Sequence, residues 1–353
     1  MGRIARATRC VVKKRSRLVY GGTLVVLSAI LVAVALYSFT LGHYDMTVGE
    51  VLQVMSNQLF GTSYDVAPAI VTVITQVRFP RIIGAIVIGA ALSLAGASFQ
   101  GLFKNPMVSP DLLGASAGAG CGACYALLLG LNAFFVQASA FAVGIVAVML
   151  TYAVGKTVSR GNDMTLSLVL SGMVVSALFQ AFISITKYVA DPDDTLPSIT
   201  YWLMGGLSGT KPDDLPMLVV PFLIGVVPML LLRYQVNVLS FGDEEARALG
   251  VNTAFIRALF IGCATLVTAA SVAAAGMVGW VGLVIPHLSR MIVGPNYRQL
   301  LPASLLIGAI FMLVIDDVCR CLLSLEIPLS VATAIIGAPF FIYLLIKGKR
   351  TWA

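Results

Sequence analysis

The segment ALFIGCATLVTAASVAAAGMVGWVGLVIPHLS, Ala258 to Ser289, carries no charged residue across 32 positions. A helix that crosses a bilayer needs about 20 apolar residues, so this run is too long for one crossing and short for two ordinary ones. Arg247 and Arg257 precede it, and Arg290 and Arg298 follow it. With both flanks on one side, the chain must cross and return. Gly276 and Gly279 then supply the turn, and Pro286 permits a short or kinked second helix. Two helices in one uncharged stretch predict a polytopic membrane protein.

The rest of the chain agrees. Of 353 residues, 59% are hydrophobic and 11% charged, and the mean hydropathy is +0.95. An average soluble domain is about 25% charged, and a soluble core could not hide this much apolar surface. A soluble enzyme is excluded, as is a disordered chain, which would be polar and charge-rich. The apolar runs also exceed the roughly 10-residue alternating strands of a membrane barrel. The spacing predicts further spans at 18–41, 81–103, 112–130, 133–155, 164–186, 215–232, 299–321 and 329–346, giving ten in an all-α fold. Five spans per half would give two halves of inverted orientation, an arrangement common in transporters.

The net charge of +7 requires no nucleic-acid partner. With both termini inside, only Arg78, Arg81, Lys187, Lys211 and Arg320 of the 23 basic residues fall outside. That asymmetry is the orientation rule for cytoplasmic loops, and it predicts a multi-pass protein of the cell (inner) membrane with both termini cytoplasmic. The chain divides into a basic tail (1–17), a transmembrane domain (18–347) with a polar inside loop (237–257), and a short tail (348–353). The apolar stretch from Leu18 to Leu41 exceeds a signal-peptide core of about 7–15 residues and reads as an uncleaved first span. Residues 46–60 have helical apolar spacing, which suits a helix on the membrane surface or one packed over the bundle, and packing is the expectation.

Several chemical motifs fail. Gly155-Lys156-Thr157 lacks the earlier glycine of a phosphate-binding loop, because Leu150 stands there, so ATP and its magnesium belong to another chain. Gly114, Gly118 and Gly122 read as a helix-packing stripe. Cys121 and Cys124 have no second pair or nearby His to complete a metal site and read as small buried hydrophobes in a helix; all six cysteines but Cys10 lie in or beside apolar segments. Spans one to eight have no central carboxylate, which argues against proton coupling. Asp316 and Arg320 have the spacing of a local ion pair. Asp243, Glu244 and Glu245, followed by Gly250, predict a short acid-started helix with a glycine stop, serving as a linker or as a knob for a partner.

Six segments carry a resemblance: RFPR (78–81), GAALSLAGASFQ (89–100), NPMVSPDLLGASAGA (105–119), GDEEARALGVN (242–252), GWVGLVIPHLSR (279–290) and EIPLSVATAIIGAPFFIYLL (326–345). The chain resembles the iron-chelate and vitamin B12 permease family, the membrane subunits of binding-protein-dependent ABC importers. Met107-Val108 departs mildly from the family's NPLA. The resemblance implies a second permease copy or paralogue, two ATP-binding subunits and an extracytoplasmic binding protein. It implies that Asp243, Glu244, Glu245, Ala246, Arg247, Leu249 and Gly250 form the helix seated on the ATPase, with contact through the charges and an Ala246/Leu249 face. It implies that Arg78, Arg81 and Arg320 receive acidic residues of the binding protein. Ser171, Gly172, Ser176 and Gln180 are candidate pathway residues or helix contacts. The expected cargo is a ferric siderophore, with cobalamin or haem as alternatives, and His43 and His287 are not read as haem ligands. A membrane sensor or scaffold without transport is the alternative of another class.

Overall fold

The computed structural model describes residues 2–42, 44, 46–159, 164–323 and 325–348, with side chains from Tyr20 onward except at 165, 345 and 347–348. His43, Cys10, the side chains of the basic tail, Arg160 and residues 349–353 lie outside what it describes. Helices in chain order are α1 (Gly2–Ser38), α2 (Val48–Phe60), α3 (Pro68–Thr72), α4 (Phe79–Leu102), α5 (Ala115–Leu128), α6 (Ala133–Ser159), α7 (Met164–Val189) and α8 (Thr195–Met204). They continue as α9 (Leu215–Leu231), α10 (Arg233–Leu239), α11 (Asp243–Ala248), α12 (Thr253–Ala275), α13 (Val281–Val293), α14 (Tyr297–Cys321) and α15 (Leu329–Gly348). No strand occurs among the described residues.

Among the described residues, seven helical stretches are long and apolar enough to cross a membrane, and α5, α13 and α15 add three shorter apolar helices. All ten expected spans therefore appear as helices. The uncharged run divides as expected into α12 and α13, with Pro286 inside the second. Its turn differs in detail: Gly276 has φ +71°, but the second left-handed residue is Trp280 at φ +68°, not Gly279. The first span is continuous with the basic tail, since α1 begins at Gly2.

The centre of the bundle is α4, which is buried along nearly its whole length. Small residues make that possible. A Cβ at Gly89 would collide with the carbonyl of Gly308 on α14, and one at Gly96 with the carbonyl of Gly282 on α13. The Ser93 hydroxyl donates to the Ser304 carbonyl at 2.7 Å across the same seam. Close approach without large side chains is how apolar helices associate where no hydrophobic drive separates protein from lipid. The expected packing stripe holds at Gly118 and Gly122, which face α6. Gly114 lies outside α5, with φ +85° as its N-cap.

The bundle has two ends. One carries α10, α11 and the start of α14, joined where Asn237 donates to the Asn296 side chain at 3.1 Å and accepts from the Tyr297 backbone at 2.9 Å. The other carries the end of α1, the start of α4 and the end of α14. A π-helical turn, Val73–Arg78, carries α3 into α4, so RFPR is helical rather than a loop. The amphipathic segment forms α2, opened by a Thr47–Glu50 capping box and closed by Gly61. It buries Val51 and Val54 but leaves Val48, Leu52 and Leu59 exposed, so only one side packs down.

Candidate functional site

At the first end, α11 is a six-residue knob. Three acids in its first turn suit the positive end of a helix, and Gly250 ends it with φ +80°. The sequence placed Ala246 on a contact face, but the structure overturns this. Ala246 is fully buried and belongs to the same apolar core as Val236, Leu239, Ile256 and Phe260. Of the two alanines of α11, Ala246 presses against α10 and α12, whereas Ala248 is exposed. Asp243 also points back, accepting from Arg257 at 2.8 Å, and Arg247 donates to the Thr253 hydroxyl at 3.3 Å. Glu244, Glu245, Leu249 and, outside the expected set, Phe241 are exposed. The knob is fixed from beneath and presents a mixed acidic and apolar crown.

At the other end, Arg78, Arg81 and Arg320 are 4%, 6% and 5% exposed. Each is held within the chain. Arg81 on α4 pairs with Asp316 on α14 at 2.9 Å, in a forked arrangement with both carboxylate oxygens, and with Glu326 at 2.7 Å. Arg320 donates to Asp317 and to the Ser38 carbonyl, the latter at 2.6 Å; the Ser38 hydroxyl donates to Asp317 at 2.6 Å. Arg78 donates to the carbonyls of Phe39 and Tyr44. The expected Asp316–Arg320 pair is absent. Asp316 turns to α4, and Arg320 takes Asp317, three residues away. Arg81 comes from 235 positions away in sequence, beyond what helical spacing can reveal. Together these contacts form a charge clasp joining α1, α4, α14 and Glu326, three residues before α15. Ser38 and Glu326 are its members that the sequence reading did not single out. Glu326 lay within a quoted segment, whereas Ser38 had no signal.

A cavity of about 500 Å³ opens beside this clasp. Tyr201 and Trp202 of α8, the Gly205–Thr210 strip, the end of α12 and Glu326 to Pro328 line it. Of the four candidate pathway residues, Ser171 and Gly172 are buried in packing; a Cβ at Gly172 would meet the Leu112 carbonyl. Ser176 lies beside Gly114, and Gln180 is exposed. None of the four lines this cavity.

Ten apolar helices, a broken α12–α13 pair and a polar knob rigidly mounted at one end define the membrane component of an ABC importer. The FecCD transport family matches residues 30–347, and the chain belongs to that family. It is 39% identical over 326 residues to the molybdate import system permease MolB of Haemophilus influenzae, covering 92% of this chain and 95% of that one. It is 37% identical over 277 residues to a probable iron chelatin transport system permease of Helicobacter pylori, covering 78% and 83%. It is 38% identical over 274 residues to the cobalamin import permease BtuC of Halobacterium salinarum, covering 77% and 73%. Among solved structures, an inward-facing metal-chelate type ABC transporter superposes with a TM-score of 0.83 at 38% identity, covering 93% of this chain and 99% of that one.

Proposed function

We propose that this permease carries a ferric siderophore into the cell, with the α11 end cytoplasmic and seated on an ATPase subunit, and the clasp end facing an extracytoplasmic binding protein. The observation that carries the mechanical part is the mounting of α11. Ala246 and the Asp243–Arg257 pair fix it to α10 and α12. A force applied to its exposed crown is therefore delivered to membrane helices instead of being absorbed by a loose loop. ATP and magnesium sit on the partner, and the membrane chain alternates access. The orientation is supported by the basic residues clustered at the α11 end.

Cargo rests on the similarity to iron chelatin permeases and on the roomy, small-residue cavity at the clasp end. Molybdate is the second reading, favoured by the extent of the match to MolB. Arg78, Arg81 and Arg320 meet a binding protein only if they exchange their internal partners for its carboxylates. The test is uptake into vesicles holding the complete transporter, offered a radiolabelled ferric siderophore, molybdate or cobalamin with the cognate binding protein. ATP-dependent accumulation of the ferric chelate is expected. Accumulation of molybdate alone would replace the cargo.

A further inference from the structure

A second cavity, about 450 Å³, lies between α6 and α12, far from the clasp. Its floor is Val148, Ile261 and Thr265, all buried, and its rim includes exposed Met149 and Ala153. The recess exists because two of the four lining residues of α12, Ala258 and Gly262, carry almost no side chain. A Cβ at Gly262 would meet no atom within 4 Å. The lining lies within two membrane-crossing helices, toward their α11 ends. At that depth only a lipid chain or another membrane helix can fill it.

The mouth of the groove distinguishes these. Lys156 stands one turn beyond Tyr152 on the same face of α6, and Arg257 stands one turn before Ile261 on the same face of α12. Both basic residues therefore extend the two walls toward the membrane surface, Lys156 about 4.5 Å beyond Ala153 and Arg257 about 1.5 Å beyond Ala258 at 1.5 Å per residue. Asp243 offsets part of the Arg257 charge through their 2.8 Å pair; Lys156 is exposed. An apolar slot with a basic mouth matches an acyl chain beneath an anionic headgroup, as basic pockets between helices on the cytoplasmic side do in general. We propose that this groove binds one anionic phospholipid of the inner leaflet, its chain along Ala258 and Gly262 and its phosphate at Lys156. The phosphate then lies next to the Asp243–Arg257 pair that fastens α11.

This site rests on the proposed inward orientation of the α11 end and is independent of cargo, so uptake can succeed while the lipid preference fails. The test is native mass spectrometry of the complete purified complex exchanged into phosphatidylglycerol or phosphatidylcholine with identical chains. Wild type should retain phosphatidylglycerol in preference. Lys156→Gln should lower that retention about fivefold, the weight of one basic residue at an anionic surface, while Lys156→Arg keeps it. Gly262→Leu, which fills the slot, should expel the lipid whatever its head; Ala258→Leu serves if that complex fails to assemble. Equal retention of the two lipids by wild type, or an adduct surviving the filled slot, would overturn the proposal. So would a disulfide between two copies carrying Ala153→Cys, which places a second chain in the groove.

Discussion

Arg81 and Asp316 illustrate what single residues decide in this fold. Removing one partner of a buried pair strands the other charge, typically at a cost of about 3–5 kcal/mol. Asp316 is fully buried, so the solvent relief available to surface pairs is missing. Arg81→Leu is expected to lower thermal stability of the purified permease sharply even with no binding protein present, and Arg81→Leu with Asp316→Leu should recover much of the loss. A residue waiting only for an external partner would leave the melting temperature of the isolated chain unchanged. At the other end, Gly250 has open space around a Cβ and φ +80°, so its requirement is one of backbone conformation. A β-branched residue held there costs about 1–3 kcal/mol, whereas Asn visits this region readily. Gly250→Val should therefore uncouple ATP hydrolysis from uptake in reconstituted vesicles, with Gly250→Asn retaining coupling. Equal transport by both variants and wild type would remove the glycine stop from the coupling account.

Between elements, the α4–α14 seam sets the geometry of the bundle. It joins the clasp at one end, through Asp316 of α14, to α10 beside the α11 knob at the other, through Asn296, the N-cap of the same helix. Gly89 and Gly308 bring the two backbones together, and a Cβ at Gly308 would collide with the Gly89 carbonyl and the Ser93 side chain. Since Ser93 also holds the Ser304 carbonyl, it cannot simply rotate away. Gly308→Ala should destabilise by about 1–3 kcal/mol, the usual cost of overpacking, although alanine is the better helix former by about 1 kcal/mol. Gly262→Ala, on the open side of α12, experiences only the propensity gain. Parallel thermal melts of the two variants in detergent check this. A Gly308→Ala protein as stable as Gly262→Ala would show that the seam can open without cost.

For the whole molecule, the ten spans were legible because a bilayer imposes length and polarity on each segment. Short elements such as α8 and α10 carry no such signal, and long-range choices such as Asp316 turning to Arg81 leave no trace in local spacing. Ala246 was misread for a related reason: a small residue in a six-residue helix gives no indication of which side faces inward. What the single chain leaves uncovered leads to the last prediction. On α7, Met173, Val174, Leu178, Phe182, Ile185 and Tyr188 are all exposed. They appear on more than one side of the helix, and Gln180 stands exposed among them. Lipid alone suits the apolar members but leaves the Gln180 amide without the hydrogen bonds that hydrocarbon cannot supply. A second copy or paralogue meeting along α7, with a polar pathway between the two, covers the apolar residues and keeps the amide wet. The active complex is therefore expected to contain two permease chains, and native mass spectrometry of transport-competent material should count them. Gln180→Leu should weaken uptake more than it weakens assembly if the amide faces the pathway. One permease chain per active complex would leave α7 to lipid and remove the shared pathway.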